Sequence, residues 1–319
     1  VLIIKNLIKV NKLISVVTPT KNEFQNIEKL SLEIKKIFDN LKIDYEQIII
    51  DNCSTDGTIS KIRDLAKNNS NIKVILNETD YGQVRSPFYG MLQSRGDAVI
   101  FITSDFQTPT ETIPKLISMW KSGKNKVIFT KKISSDENLF LKKFRDFFYF
   151  FLKKISKLNL GANITGEGIY DKEVINLFRK NIDPFPFLRA MVPELGIEYD
   201  TLNYNQKKRK LGTSKNNFFS LFDIAISSVA KYSVFPVKFF INFGFVCAFF
   251  SILVAFIFFI YKLFYWNSFD VGVAPIIIGV FFLSSIQIVI LGLIGQYVTF
   301  VLQYQKKLPL VIEKERINF

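Results

Sequence analysis

Two long apolar runs constrain this chain more than anything else in it. Phe239–Tyr261 carries no charged residue over 23 positions, and Val271–Gln305 carries none over 35. Neither run shows a polar stripe, so a soluble domain would have to bury each on every side. A helix needs about 20 apolar residues to cross a hydrocarbon core of ~30 Å. Both runs exceed that length, and we expect a transmembrane hairpin over 237–305, with spans at about 239–261 and 273–301. Lys231 and Lys238 precede the first span, while Lys306, Lys307, Lys314 and Arg316 follow the second. The positive-inside rule then puts both ends in the cytoplasm. The expected location is multi-pass in the inner membrane, with the rest of the chain cytoplasmic and 306–319 a basic tail.

Upstream of the hairpin the pattern changes. β-branched runs at Leu13–Val17, Gln47–Ile50, Ile72–Leu76 and Ala98–Thr103 alternate with segments of helical period such as Phe24–Phe38. Strands alternating with helices predict an α/β domain, over 1–215, built on a parallel sheet covered on both faces. Ligands of such sheets sit outside the carboxyl ends of the strands. Two amphipathic segments suit a membrane surface and equally a helix packed on a core: 139–158, where Phe140, Phe144, Phe147 and Phe151 oppose Lys142, Arg145 and Lys153, and 216–236.

Composition narrows the chemistry. The net charge is +14, and many of its cations lie beside Phe-rich segments, which suits an anionic membrane surface. No nucleic-acid signature is present. The chain has no histidine, so His-based zinc sites, His general bases and Ser-His-Asp triads are excluded, and acid–base work falls to carboxylates. Cys53 and Cys247 lie in unlike contexts and predict no disulfide.

Five segments carry the candidate chemistry. Pro19-Thr-Lys-Asn22-Glu23, Asp51-Asn-Cys-Ser-Thr-Asp-Gly-Thr58 and Thr103-Ser-Asp-Phe-Gln107 each follow a predicted strand. Asn22 and Glu23 offer hydrogen-bond partners at a proline-bent strand end, although Glu23 also suits a helix N-terminus. Ser54, Asp56, Gly57 and Thr58 read as a turn and helix cap. Further on, Thr165-Gly-Glu-Gly-Ile-Tyr170 places Glu167 between two glycines, and on the residues alone it is equally an exposed turn carboxylate. Arg209-Lys-Leu-Gly-Thr-Ser-Lys215 joins a tight-turn glycine to groups that bind phosphate, or to a plain basic loop facing a membrane.

As an ordered set these segments resemble glycosyltransferase family 2, with its A-type, Rossmann-like nucleotide-sugar fold. With the hairpin included, residues 13–310 resemble the membrane-anchored polyprenyl-phosphate glycosyltransferases, relatives of dolichol-phosphate mannosyltransferase. The resemblance implies roles. Pro19, Asn22, Glu23 and Asp51 would contact the nucleoside, and Ser104, Asp105 and Gln107 would belong to the donor loop. The family commonly has Asp-x-Asp for a divalent cation where this chain has Thr103-Ser104-Asp105, so Asp105 alone is expected to hold Mg²⁺ or Mn²⁺. Magnesium is often held by one or two carboxylates completed by substrate phosphates. Asn52 and Cys53 likewise replace an Asp and a Gly of the family pattern. Glu167 matches the Asp of the family's catalytic segment, and Arg209, Ser214 and Lys215 match its phosphate-binding loop.

The resemblance therefore implies an inverting transferase that moves a sugar from a UDP- or GDP-sugar to a polyprenyl phosphate, for cell-envelope glycans. Two other readings fit the same residues: extension of a lipid-linked saccharide, and a non-catalytic membrane protein that binds nucleotide sugars. Because the resembling family includes oligomers, a homo-oligomer is compatible with it.

Overall fold

The structure, a computed structural model, describes residues 12–134, 161, 163–206, 235–264, 273–306 and 308–319. The chain divides into two units. One is an α/β unit that also takes in the segment from 307 to 319; the other carries two long helices.

The α/β unit is built on an eight-stranded sheet. Its elements run β1 (Ile14–Thr20), α1 (Ile27–Leu41), β2 (Tyr45–Asp51), α2 (Thr58–Asn68), β3 (Ile72–Asn77), α3 (Gly82–Leu92), β4 (Ala98–Phe101) and α4 (Thr112–Lys121). There follow β5 (Val127–Ser134), β6 (Ile164–Asp171), α5 (Lys172–Lys180), α6 (Leu188–Glu194) and β7 (Tyr199–Asn205). The strand order is β7-β5-β6-β4-β1-β2-β3-β8, where β8 is Glu313–Ile317.

The sequence predicts a parallel sheet, and the structure corrects this to a mixed one. β1 pairs in parallel with β2 and β4, and β2 with β3. β6, however, lies antiparallel between β4 and β5, and β8 runs antiparallel to β3. The expected basic tail is therefore corrected too, since its residues 313–317 are an edge strand of the sheet. Leu310 and Val311, just before that strand, are buried in the core.

Side chains of the central strands alternate between the two faces of the sheet, as the pleat requires. Val17, Ile48 and Ile50 point to the side packed by Phe88 and Met91 of α3 and by Val174 and Phe178 of α5. Ile14, Val16 and Ile100 point to the side packed by Leu30, Ile34 and Phe38 of α1 and by Ile113 and Trp120 of α4. Every residue of β2 is buried, the mark of a central strand covered on both faces.

The helical unit contains α7 (Phe235–Phe264, 30 residues) and α8 (Val273–Gln305, 33 residues). Pro236 and Pro275 both fall in first turns, where a missing N–H costs no helical bond. Among the residues whose side chains are described, no helix is long and apolar enough by itself to cross a membrane. The amphipathic segment 139–158 lies outside the described residues, as does 216–236 apart from Phe235 and Pro236, which open α7.

Candidate active site

The loops that follow β1, β2, β3 and β4 meet at the carboxyl ends of these parallel strands. Pro19 sits inside β1, a position that needs a reason because proline cannot donate to a ladder. β4 ends at Phe101, opposite Val17, so no ladder partner on that side faces Pro19. Its carbonyl accepts instead from Ser104 Oγ, 3.0 Å away. Ser104 is buried, and its hydroxyl thus stitches the end of β4 to the end of β1.

Asn22 and Glu23 build the loop. Asn22 adopts a left-handed φ of 57°. Its backbone N–H donates to Ser54 Oγ at 2.8 Å, and its Oδ1 accepts from the Thr55 N–H at 2.8 Å. Glu23 is buried; its N–H donates to Thr58 Oγ1 at 3.0 Å and its Oε2 accepts from Asn26 Nδ2 at 2.6 Å. Asp56 accepts from both the N–H and the hydroxyl of Thr58. The turn reading of residues 54–58 thus holds, although the residue capping α2 is Gly57, whose φ is 90°.

Asp51 is completely buried. Its Oδ1 accepts from the Ser54 N–H at 2.9 Å and its Oδ2 from Ser54 Oγ. Burial pushes the Asp51 carboxyl above its ordinary range, and the two bonds from Ser54 oppose that shift only in part.

Asn52 is explained by its neighbours. Its Nδ2 donates to Asp80 Oδ1 at 2.5 Å, and its Oδ1 accepts from the Tyr81 N–H at 2.9 Å and from Asn77 Nδ2 at 3.1 Å. The family's Asp at this position would set two carboxylates against each other. Asp80 also pairs with Lys21 and accepts from the Gly82 N–H at 2.9 Å. Partial burial alone would raise the Asp80 carboxyl, but Lys21, Gly82 and Asn52 outweigh it and hold the group below the usual range.

Asp105 and Glu167 form the centre of the site. Asp105 Oδ1 accepts from the Gln107 N–H at 3.1 Å and lies 2.9 Å from Thr103 Oγ1, whose single proton goes either to it or to Glu167, while Oδ2 accepts from none of the described residues. Glu167 lies on β6, only 6% exposed, which overturns the exposed-turn reading. Its Oε1 accepts from Thr103 Oγ1 at 2.5 Å and from the Thr103 N–H at 3.2 Å. Thr108 Oγ1 donates to its Oε2. Thr108 Oγ1 is also 3.2 Å from the Tyr204 hydroxyl. Because Thr108 has one hydroxyl proton, Tyr204 must donate to Thr108 while Thr108 donates to Glu167. Burial raises the Glu167 carboxyl; the bonds from Thr103 and Thr108 lower it, and the charge of Asp105 adds to the rise.

The two flanking glycines fix where Glu167 stands. Gly168 has φ 148°, and a Cβ there would lie 2.1 Å from the Ile128 carbonyl oxygen of β5. Gly166, at φ 89°, likewise holds a conformation that residues with side chains rarely adopt. Gln107 is tied from the far side of the sheet, where Gln206 Nε2 donates to its Oε1.

The structure thus brings together Pro19, Asn22, Glu23, Asp51, Ser104, Asp105, Gln107 and Glu167, while Arg209, Ser214 and Lys215 fall outside the described residues. Sequence reasoning missed Asp80, Thr108, Tyr204 and Gln206. Of these, Thr108 lay within the segment that runs from Thr103 to Glu111, and Gln206 lay three positions before Arg209. Among the described residues no cluster of three His, Cys, Asp or Glu side chains could hold a metal ion. A site of one carboxylate completed by substrate phosphates fits the open Oδ2 of Asp105.

Known proteins give this geometry a context. The family model for Glycosyl transferase family 2 matches residues 15–178. A putative glycosyltransferase of Bacillus subtilis, CsbB, is 28% identical over 305 residues, which is 95% of this chain and 92% of the relative. The bactoprenol glucosyl transferase of Shigella phage SfX is 26% identical over 312 residues, 95% of this chain and 99% of the relative. Glucosyl-3-phosphoglycerate synthase from Mycobacterium tuberculosis, solved with Mn²⁺, UDP and phosphoglyceric acid, matches with a TM-score of 0.50 at 20% identity. That likeness covers 70% of this chain and 78% of the synthase, and it shows a shared fold.

Proposed function

Since the chain belongs to glycosyl transferase family 2, we propose that it moves a sugar from a UDP- or GDP-sugar to the phosphate of a polyprenyl lipid. The transfer inverts the anomeric carbon and takes place at the cytoplasmic face of the inner membrane, serving cell-envelope glycans. One observation carries this reading. The likeness to the phage bactoprenol glucosyl transferase spans 95% of this chain, so it continues past the family domain and takes in most of α7 and α8.

The chemistry asks little of a base. A lipid phosphate is already ionised near neutral pH. Its oxygen attacks C1 of the sugar as the bond from C1 to the diphosphate breaks, and the nucleoside diphosphate leaves with the electron pair. Mg²⁺ or Mn²⁺, when bound at Asp105, would neutralise charge growing on that leaving group. Arg209, Ser214 and Lys215 are assigned to the same task by their match to the family's loop. Asp51 and the Asn22–Ser54 clamp shape the nucleoside end. Glu167 orients the acceptor beside the reacting carbon.

α7 and α8 form the membrane anchor in this reading. What supports this is the sequence: charge-free runs of 23 and 35 residues, against the about 20 that a hydrocarbon core requires. Lysines 238, 306 and 307 flank them on the side that the positive-inside rule makes cytoplasmic.

Membranes containing the protein, given labelled nucleotide sugars and polyprenyl phosphate, should pass label into the organic extract. Asp105→Ala should lower that transfer by roughly a hundredfold, the scale of losing one charge-stabilising element. Label that stays in the aqueous phase with every UDP- and GDP-sugar would refute the reading, and extraction of the protein by alkaline carbonate would refute the anchor.

A further inference from the structure

Resting on that reading of the site, we propose that Thr103 and Glu167 are a compensated pair, and that Thr103 is a positioning residue coupling the acceptor-side carboxylate to Asp105. Glu167 cannot retreat along the chain. Gly168 has no room for a side-chain carbon against Ile128, and β6 is hydrogen-bonded to β4 and β5 on either side. The reach of its carboxylate is therefore set by side-chain length alone. That length brings Oε1 to 2.5 Å from Thr103 Oγ1. The same hydroxyl is 2.9 Å from Asp105 Oδ1, so one oxygen with a single proton to give stands between two carboxylates.

The two departures from the family pattern now explain each other. Where the family commonly has Asp, this chain has the shorter, neutral Thr103; where the family has an Asp in its catalytic segment, this chain has the longer Glu167. An Asp at 103 would place carboxylate oxygens where Glu167 Oε1 and Asp105 Oδ1 already converge. Three anions would then share a space with no hydroxyl proton between them, an arrangement that a buried site does not tolerate. The same crowding disappears if residue 167 is one methylene shorter. Tyr204, through Thr108, steadies the other oxygen of Glu167 and leaves Oε1 directed at Thr103.

The test is a double-mutant cycle in the detergent-purified full chain, read first by thermal unfolding. Thr103→Asp alone should lower the melting temperature by several degrees. Glu167→Asp added to it should recover most of that loss, whereas the sum of the two single changes predicts a further fall. Additive effects, or an unperturbed Thr103→Asp, would overturn the pair. Should Thr103→Asp fail to fold, Thr103→Val and Thr103→Ser carry the test through turnover. With UDP-glucose, Mn²⁺ and polyprenyl phosphate, or whichever donor supports transfer, Val should lower kcat about tenfold while donor KM stays within twofold. Ser should restore it. An equal loss in Val and Ser, or a loss confined to donor KM, would overturn the positioning role. The unfolding cycle needs no substrate, so a wild-type protein inert towards every donor would sink the proposed function while leaving the pair to be judged on stability.

Discussion

Asn52 shows how a single residue records its surroundings. Its amide donates to Asp80 and its carbonyl receives two N–H groups, so both ends are used in a direction that Asp could not reproduce. Asn52→Asp should destabilise the α/β unit by about 1–3 kcal/mol, the cost of a mispaired, partly buried polar group. Asn52→Asp with Asp80→Asn exchanges donor and acceptor and should recover much of that loss in urea unfolding. At this scale the sequence was readable wherever chemistry is local. The Asp56–Thr58 turn spans two positions, and its residue types announce it. The link from Thr108 to Tyr204 spans 96 positions, and nothing in either neighbourhood points to the other. Glu167 was legible as a candidate but its setting was not: Gly-Glu-Gly has the composition of a turn, yet it lies within β6, where Gly168 allows the close approach to β5.

At the scale of elements, the strands and helices of the first half follow their hydrophobic period, and the structure places them where that period predicts. Direction is another matter. Alternation shows that a segment is a strand but not which way it runs, so the antiparallel placement of β6 could not be read. That placement matters, because it is what carries Glu167 to the end of β4. Gly168→Ala should separate β6 from β5, destabilise the domain by more than 2 kcal/mol, and abolish transfer together with stability, since strain at a positive φ adds to the clash. A melting temperature unchanged by this substitution would mean that β6 is held by something other than its close approach to Ile128. β8 escaped notice because Glu313-Lys-Glu-Arg-Ile317 is almost entirely charged. Such a composition suits an edge strand that discourages further pairing.

For the whole molecule, β8 changes how the chain is divided. The α/β unit is discontinuous, interrupted by the two long helices and completed by residues that follow them. Arg63 pairs with Glu315, Asn318 Nδ2 donates to the carbonyls of Ala66 and Ile72, and Leu310 and Val311 fill the core. Ending the chain at residue 307 should therefore cost the α/β unit several kcal/mol, since each buried Leu or Val contributes about 1.5–3 kcal/mol. Faster proteolysis and a lower melting temperature would show it, and equal resistance of the shortened chain would show the segment to be dispensable.

The same strand sets an order in time. Asn77 closes β3 early in synthesis, and about 240 residues must follow before Ile317 can lie beside it. At about 5–20 residues per second, translation leaves that sheet edge open for roughly 12–48 s. During this interval α7 and α8 are made, while the nascent domain still lacks its eighth strand. A ribosome stalled before residue 313 would thus hold a transferase whose two long helices are finished and whose catalytic sheet is not.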